Sequence, residues 1–74
     1  GAGTGEGSPF WDFLNSIVTS RAPGSAVLPY FGKNASFGSV RVNGFPLVMD
    51  GRIDKILLGF SFVGATQMQE VACN

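Results

Sequence analysis

Apolar residues recur along this chain with two different periods, which divide it into a helical part and a strand-rich part. Between positions 10 and 18 they recur every three to four residues, which predicts an amphipathic helix. Ser8 suits the N-cap, Pro9 suits the first helical position, and Pro23-Gly24 predicts that the helix ends near Ser20. The expected core stripe is Phe10, Phe13, Leu14 and Ile17, broadened by Trp11 and Val18.

Positions 39–63 contain the strongest strand and turn signals. Asn43-Gly44 separates two apolar runs, and this pair favours a two-residue hairpin turn because both residues tolerate positive φ. Asp50-Gly51 predicts a second turn. Backbone hydrogen-bonding groups alternate between the two sides of a strand. Counted from the first turn, this alternation predicts that the second turn is a three-residue loop, Met49-Asp50-Gly51. The first hairpin would place four apolar residues on one face: Val40, Val42, Phe45 and Leu47.

Pro46 lies inside this predicted meander and has no N–H to donate. On the predicted parity it faces the third strand, so we expect a weak seam there. Pairing would then start beyond Pro46, or the third strand would pair elsewhere, including with another copy of the chain. Strand exchange through this seam is the expected mechanism of association.

The segment 53–63 is largely apolar on both faces from Ile56 to Val63, unlike an amphipathic surface strand. Three interpretations remain open. It is a central strand of the domain's own core, a strand that becomes buried only on assembly, or a short helix at its start. One face carries Ile56, Leu58, Phe60 and Phe62.

The remaining segments carry weaker signals. Positions 22–38 predict a loop-rich crossing, in which Pro29 argues against a continuous central strand and Tyr30 and Phe31 anchor the loop on the core. Asn34 begins a formal N-glycosylation triplet. Positions 65–74 predict a last edge strand or a frayed tail. We therefore expect a flexible glycine-rich arm over 1–7 and a single small domain over 8–74. Its predicted fold class is β-rich α+β, with one N-terminal helix and a small antiparallel β-meander completed by oligomerisation.

Size and composition favour association. A chain of 74 residues buries a small share of its surface and is marginal alone. With one cysteine and no histidine, it cannot form an internal disulfide or the usual zinc sets. Oligomerisation is the stabilising device that remains. Charged residues make up only 14% of the chain, against about 25% in typical domains.

Charge and chemistry exclude other classes. The formal net charge is zero, which argues against nucleic-acid binding through phosphate neutralisation. Histidine, the usual general base, is absent. Cys73 has no basic neighbour that would activate its thiol, and Asp54 and Glu70 belong to no catalytic motif. We expect no catalytic activity, no cofactor and no bound metal.

The sequence thus favours a non-catalytic structural or assembly module that pairs with copies of itself or docks into a larger assembly. Virion and appendage components share this make-up, by analogy of composition alone. The alternative is a processed small chain of a larger capsid protein or two-chain enzyme, with Gly1 and Asn74 as cut ends. A glycan-binding domain that uses Trp11 and Tyr30 is a third class. Membrane contact by the helix is a weaker alternative, because only Arg21 supplies positive charge nearby. The residues expected in the core or interface are Phe10, Trp11, Phe13, Leu14, Val40, Val42, Phe45, Leu47, Ile56, Leu58, Phe60 and Phe62.

Overall fold

One helix packs on one face of a four-stranded antiparallel sheet in the computed structural model, which describes residues 7–31 and 36–73. The strands follow one another across the sheet in the order β1-β2-β3-β4. The strand-rich α+β fold class is confirmed. The predicted arm over 1–6 and the triplet at Asn34 lie outside the described residues, as do the side chains of Tyr30 and Phe31. The elements are α1 Pro9–Ser20, β1 Gly24–Phe31, β2 Ser36–Met49, β3 Arg52–Phe62 and β4 Ala65–Ala72.

The helix begins and ends where its capping residues predict. Ser8 is the N-cap, and its Oγ accepts a hydrogen bond from the Trp11 N–H at 3.4 Å. At the other end Arg21 adopts a left-handed conformation, with φ of 55°, and its N–H donates to the Ile17 carbonyl at 2.9 Å. The Arg21 guanidinium also donates to the Gly51 carbonyl at 2.9 Å. This bond ties the end of α1 to the turn between β2 and β3.

The core lies between α1 and the face of the sheet that α1 covers. The helix contributes three buried residues, and the first three strands contribute the rest by alternation of inward and outward side chains. The sequence predicts that Trp11 and Val18 broaden the stripe, but both are exposed, and we call the side of α1 that carries them its outer side. The buried apolar residues are Phe13, Leu14, Ile17, Leu28, Val40, Val42, Ile56 and Leu58.

Asn43-Gly44 is not a turn, so that prediction is wrong. Both residues lie inside β2, which runs straight through them, and Gly44 pairs with Gly24 of β1. A Cβ on Gly44 would lie 3.2 Å from the Phe13 ring and 3.3 Å from Ile17 Cδ1. The glycine is therefore required by the close approach of α1 to the sheet, which is the other common reason for glycine in a strand.

The continuity of β2 also corrects the predicted face. Val40 and Val42 point toward α1, whereas Phe45 and Leu47 have the opposite parity and point to the other face of the sheet. A register shift between Leu47 and Val48 then leaves one extra residue in β3. Because of this bulge, Ile53 packs against the core although its parity differs from that of Ile56 and Leu58.

The β2–β3 hairpin and the β3–β4 hairpin each have a two-residue turn in which both residues have positive φ. Asp50 and Gly51 have φ of 54° and 75°, and Met49 pairs directly with Arg52. The three-residue loop from Met49 is therefore wrong, because its count depended on a turn at Asn43-Gly44. Val63 and Gly64, with φ of 49° and 79°, form the second turn in the same way.

Pro46 does not create a seam. The ladder between β2 and β3 runs from Arg41 to Met49 and includes the Pro46–Ile56 pair. Counted from the Met49–Arg52 pair, the backbone of Pro46 faces the β1 side of the sheet. At that position β2 has no β1 partner, because the β1 ladder ends at Gly44. The missing N–H thus falls on an open section of the strand, where proline is tolerated.

The segments on either side of the central hairpin are both strands. The sequence predicts a loop-rich crossing over 22–38, but positions 24–31 form β1, which carries Pro29 and is an edge strand rather than a central one. Positions 65–72 form β4, the second edge strand. Since β3 lies between β2 and β4, it is a central strand of this domain, the first of the three interpretations. No helix among the described residues is long and apolar enough to cross a membrane.

Candidate functional site: the open face of the sheet

The face of the sheet opposite α1 carries no covering layer from the described residues, and we call it the open face. Across it, the register places Val27, Arg41, Ser61 and Thr66 in one row and Asn43, Gly59 and Met68 in the next. The third row is Phe45, Leu57 and Glu70, and the fourth is Leu47, Lys55 and Ala72.

The centre of the open face is apolar. Phe45, Leu47 and Met49 from β2 are exposed, and Leu57 of β3 beside them is half-buried. Met68 of β4 lies over Gly59, where its sulfur would be 3.2 Å from a Cβ on that glycine, yet the residue remains 53% exposed. Single exposed apolar side chains are ordinary, but a contiguous group on one face of a sheet is typical of a surface that another layer covers.

Polar groups border this apolar centre. Lys55 Nζ lies 3.4 Å from Glu70 Oε1, and both side chains are about half exposed. Because this ion pair is open to water, it contributes little to the stability of the fold. Ser61 Oγ and Thr66 Oγ1 lie 3.1 Å apart and form a cross-strand hydrogen bond in the first row. An apolar centre with a polar border is the usual anatomy of a protein–protein interface.

The structure separates the residues expected in the core or interface into three groups, which are exposed, partly buried and buried. Phe45 and Leu47 lie on the open face, while Trp11 is exposed on the outer side of α1. Phe10, Phe60 and Phe62 are partly buried against the core. The buried members are Phe13, Leu14, Val40, Val42, Ile56 and Leu58.

Sequence reasoning missed several residues of the open face, namely Val27, Met49, Leu57 and Met68 as members of one surface. Alternation along the sequence shows which residues within a single strand share a face. The sequence alone does not give the pairing register of the strands. A turn at Asn43-Gly44 places Phe45 and Leu47 on the same face as Val40 and Val42, which is wrong. Once β2 is continuous, alternation alone brings these residues to one face.

The outer edge of β4 is a second exposed feature, continuous with the open face through Met68. The residues of β4 are exposed along its length except Val71, which is partly buried. The helix contacts β1, β2 and β3 but not β4. The free edge of β4 is thus approachable from both sides of the sheet.

Groups suited to catalysis are scattered over the described ranges. Within 7–31 and 36–73, no three His, Cys, Asp or Glu side chains come together in a way that could hold a metal ion. No polar or charged side chain of these residues is buried. Cys73 is half-buried, and its thiol lies 3.8 Å from the Val71 carbonyl. A shallow depression of about 340 Å³ beside Gly7, Trp11, Asp12 and Asn15 contains a single carboxylate.

Comparison of the chain with protein-family models, with curated proteins and with solved structures gave no match.

Proposed function

We propose that this chain is a non-catalytic assembly module that associates with copies of itself through the open face of its sheet. The observation that carries the proposal is the apolar centre formed by Phe45, Leu47, Met49, Leu57 and Met68 on a face that no described residue covers. Water contact with this surface is unfavourable, by about 25 cal/mol for each Å² of apolar area.

A second copy is the occupant that the composition of this surface favours. The apolar centre belongs to one face of a sheet, and two sheets pack face to face when their apolar side chains interdigitate, so the same face of another copy is a suitable covering layer. Beside the apolar centre, Lys55 and Glu70 already pair within one chain. Arg41 lies in the first row, outside the apolar centre, so a two-fold contact centred on Phe45 and Leu47 keeps this charge at its border.

The small core and the lack of a disulfide also support self-association. Among residues 7–31 and 36–73 the buried core comprises eight apolar residues, and the single cysteine is free. Small domains with such cores commonly gain stability from oligomerisation. Covering the open face would give the sheet the second layer that its apolar centre lacks.

The test is sedimentation equilibrium of the full chain over a wide range of concentrations, with two matched variants. Phe45→Lys places a charge in the apolar centre of the open face, and Val18→Lys places one on the outer side of α1. The two side chains are almost equally exposed, at 41% and 42%. We expect the unmodified chain to form oligomers, Phe45→Lys to shift it toward the monomer and Val18→Lys to leave the oligomer intact.

Two results would contradict the proposal. An unmodified chain that stays monomeric at all concentrations would show that the open face does not drive self-association. Oligomers that resist Phe45→Lys but dissociate with Val18→Lys would assign the contact to the outer side of α1. Circular dichroism of each variant distinguishes dissociation from unfolding, since both substituted side chains lie outside the buried core.

A further inference from the structure

The free edge of β4 differs from the free edge of β1 in how well it is protected. Natural edge strands are commonly blocked by proline, by bulges or by charged side chains. The β1 strand carries Pro29 and a register shift between Tyr30 and Phe31. The β4 strand has no proline, pairs with β3 without a register shift and carries Glu70 as its one charged residue.

The backbone of β4 presents a regular set of groups on its outer side. The Phe62–Ala65 pair flanks the two-residue turn, so Ala65 directs its backbone groups toward β3. The Cys73 N–H donates to the Asp54 carbonyl of β3 at 3.1 Å, which agrees with the same parity at the far end. By alternation, residues 66, 68, 70 and 72 direct their N–H and C=O groups away from the sheet.

The side chains of β4 are arranged almost symmetrically about Met68. Gln67 and Gln69 flank it, Thr66 and Glu70 follow as polar residues, and an apolar pair, Ala65 and Val71, lies beyond them. An antiparallel partner strand with the same sequence, centred on Met68, therefore opposes glutamine to glutamine and apolar to apolar. Cross-strand pairs matched in this way stabilise a sheet.

We infer that β4 pairs with β4 of a second copy, antiparallel and about a two-fold axis through Met68, to form a continuous eight-stranded sheet. This inference deepens the proposed function and rests on it. In this register Glu70 opposes Thr66 of the other copy. A register shifted to centre on Glu70 would oppose two carboxylates, and one centred on Gln69 would oppose Met68 to Glu70 and Gln67 to Val71.

Edge pairing also enlarges the open face. A two-fold axis perpendicular to the sheet keeps both helices on the same side, so the two open faces become one surface. The open face belongs to four strands of 8, 14, 11 and 8 residues, so at the usual strand spacings it covers on the order of 650 Å². Stacking two single faces then buries about 1,300 Å², at the lower end of the standard range for specific interfaces, whereas stacking two joined faces buries roughly 2,600 Å², as in permanent complexes.

Charge complementation tests whether the edges pair. Gln67 and Gln69 are exposed and lie on the α1 side of the sheet, away from the open face. The double variant Gln67→Lys with Gln69→Lys opposes lysines across the axis, and Gln67→Glu with Gln69→Glu opposes carboxylates. We expect each variant alone to weaken edge association by about tenfold or more, and an equimolar mixture to restore it, as measured by sedimentation.

Cysteine crosslinking tests the register. In a Cys73→Ala background, Met68→Cys places two thiols across the axis with Cα atoms about 5.5 Å apart, which a disulfide can bridge. Thr66→Cys is the matched control, because the two Thr66 positions are about 13 Å apart in this register. We expect crosslinked dimers under mild oxidation from Met68→Cys and none from Thr66→Cys.

The outcomes separate the edge from the open face. If the lysine double variant keeps the full mass of the unmodified oligomer and Met68→Cys gives no dimer, edge pairing is wrong while the proposed function stands, provided Phe45→Lys still dissociates the oligomer. If the unmodified chain is monomeric throughout, both proposals are wrong. Crosslinking of Thr66→Cys but not Met68→Cys would overturn the register.

Discussion

At the scale of single residues, glycines in the strands are explained by what lies above them. Gly44 and Gly24 face each other beneath α1, and a Cβ on Gly24 would lie 2.8 Å from Ile17 Cδ1. Gly59 lies on the other side of the sheet beneath the exposed Met68 side chain. Gly24 and Gly44 therefore lie against buried side chains of α1, whereas Gly59 lies against an exposed side chain that can move.

This difference gives the first prediction. Gly44→Ala should destabilise the fold by about 1–3 kcal/mol, because Phe13 and Ile17 are buried and cannot withdraw from the added methyl group. Gly59→Ala is the matched control: its Cβ would meet the Met68 sulfur at a similar 3.2 Å, but that side chain can move into solvent. Urea denaturation measures both. Equal losses at the two positions would contradict the close approach of α1 as the reason for Gly44.

Val63 carries backbone strain in an exposed turn. It is β-branched, has φ of 49° and is 87% exposed, so no burial of its side chain offsets the left-handed conformation. Val63→Asn should stabilise the chain by about 1 kcal/mol, because asparagine tolerates this conformation in two-residue turns. Thermal unfolding at one fixed concentration measures the effect.

The reciprocal substitution is the control for Val63. Asp50 occupies the equivalent position of the other two-residue turn, with φ of 54°. Asp50→Val should destabilise the chain by a similar amount. A stabilising Asp50→Val, or a Val63→Asn that lowers stability, would show that turn conformation does not decide these positions.

At the scale of elements, three buried side chains hold α1 to the sheet, and Ile17 is the most deeply buried of them. Ile17 is 1% exposed and lies against the glycine pair formed by Gly24 and Gly44. Its truncation leaves a cavity between two layers that the strand backbones cannot close. The bond from Arg21 to the Gly51 carbonyl is exposed and adds less.

Ile17→Ala should therefore destabilise the fold by about 2–4 kcal/mol. Val18→Ala, the neighbouring substitution on the exposed side of α1, should cost less than about 1 kcal/mol. Amide hydrogen exchange of α1 distinguishes local detachment of the helix from global unfolding. If the two substitutions cost the same, the packing assigned to α1 is wrong.

At the scale of the whole molecule, the chain is a thin two-layer object. Its extents are 42 × 27 × 16 Å, and the shortest dimension is that of one helix layer on one sheet. The open face spans the sheet on the side without the helix. A molecule of this shape has a large surface for its volume, which limits the stability of a lone copy.

Self-association should make its thermal stability depend on concentration. For a dimer that unfolds as it dissociates, the melting temperature should rise by roughly 3–5 °C for each tenfold increase in concentration. The Phe45→Lys variant should show a flatter dependence over the same range. Differential scanning calorimetry provides the measurement, and a melting temperature independent of concentration in the unmodified chain would contradict association.

Local sequence determined the features that depend on near neighbours along the chain. The helix, with its cap at Ser8 and its end near Ser20, follows from apolar periodicity and capping chemistry, which act within one or two turns. The turn at Asp50-Gly51 and the strand character of 53–62 follow in the same way. The α+β class is the sum of these local signals.

Tertiary structure alone decided the register, and with it the membership of the open face. Asn43-Gly44 has the composition of a turn, but the contact of Phe13 and Ile17 with the Gly24–Gly44 pair keeps it inside a continuous strand. The local sequence of a strand does not determine its partner strand or which of its faces is buried, because the alternating pattern fits either face of the sheet. Packing of α1 across two strands makes that choice, and the position of Phe45 and Leu47 follows from it.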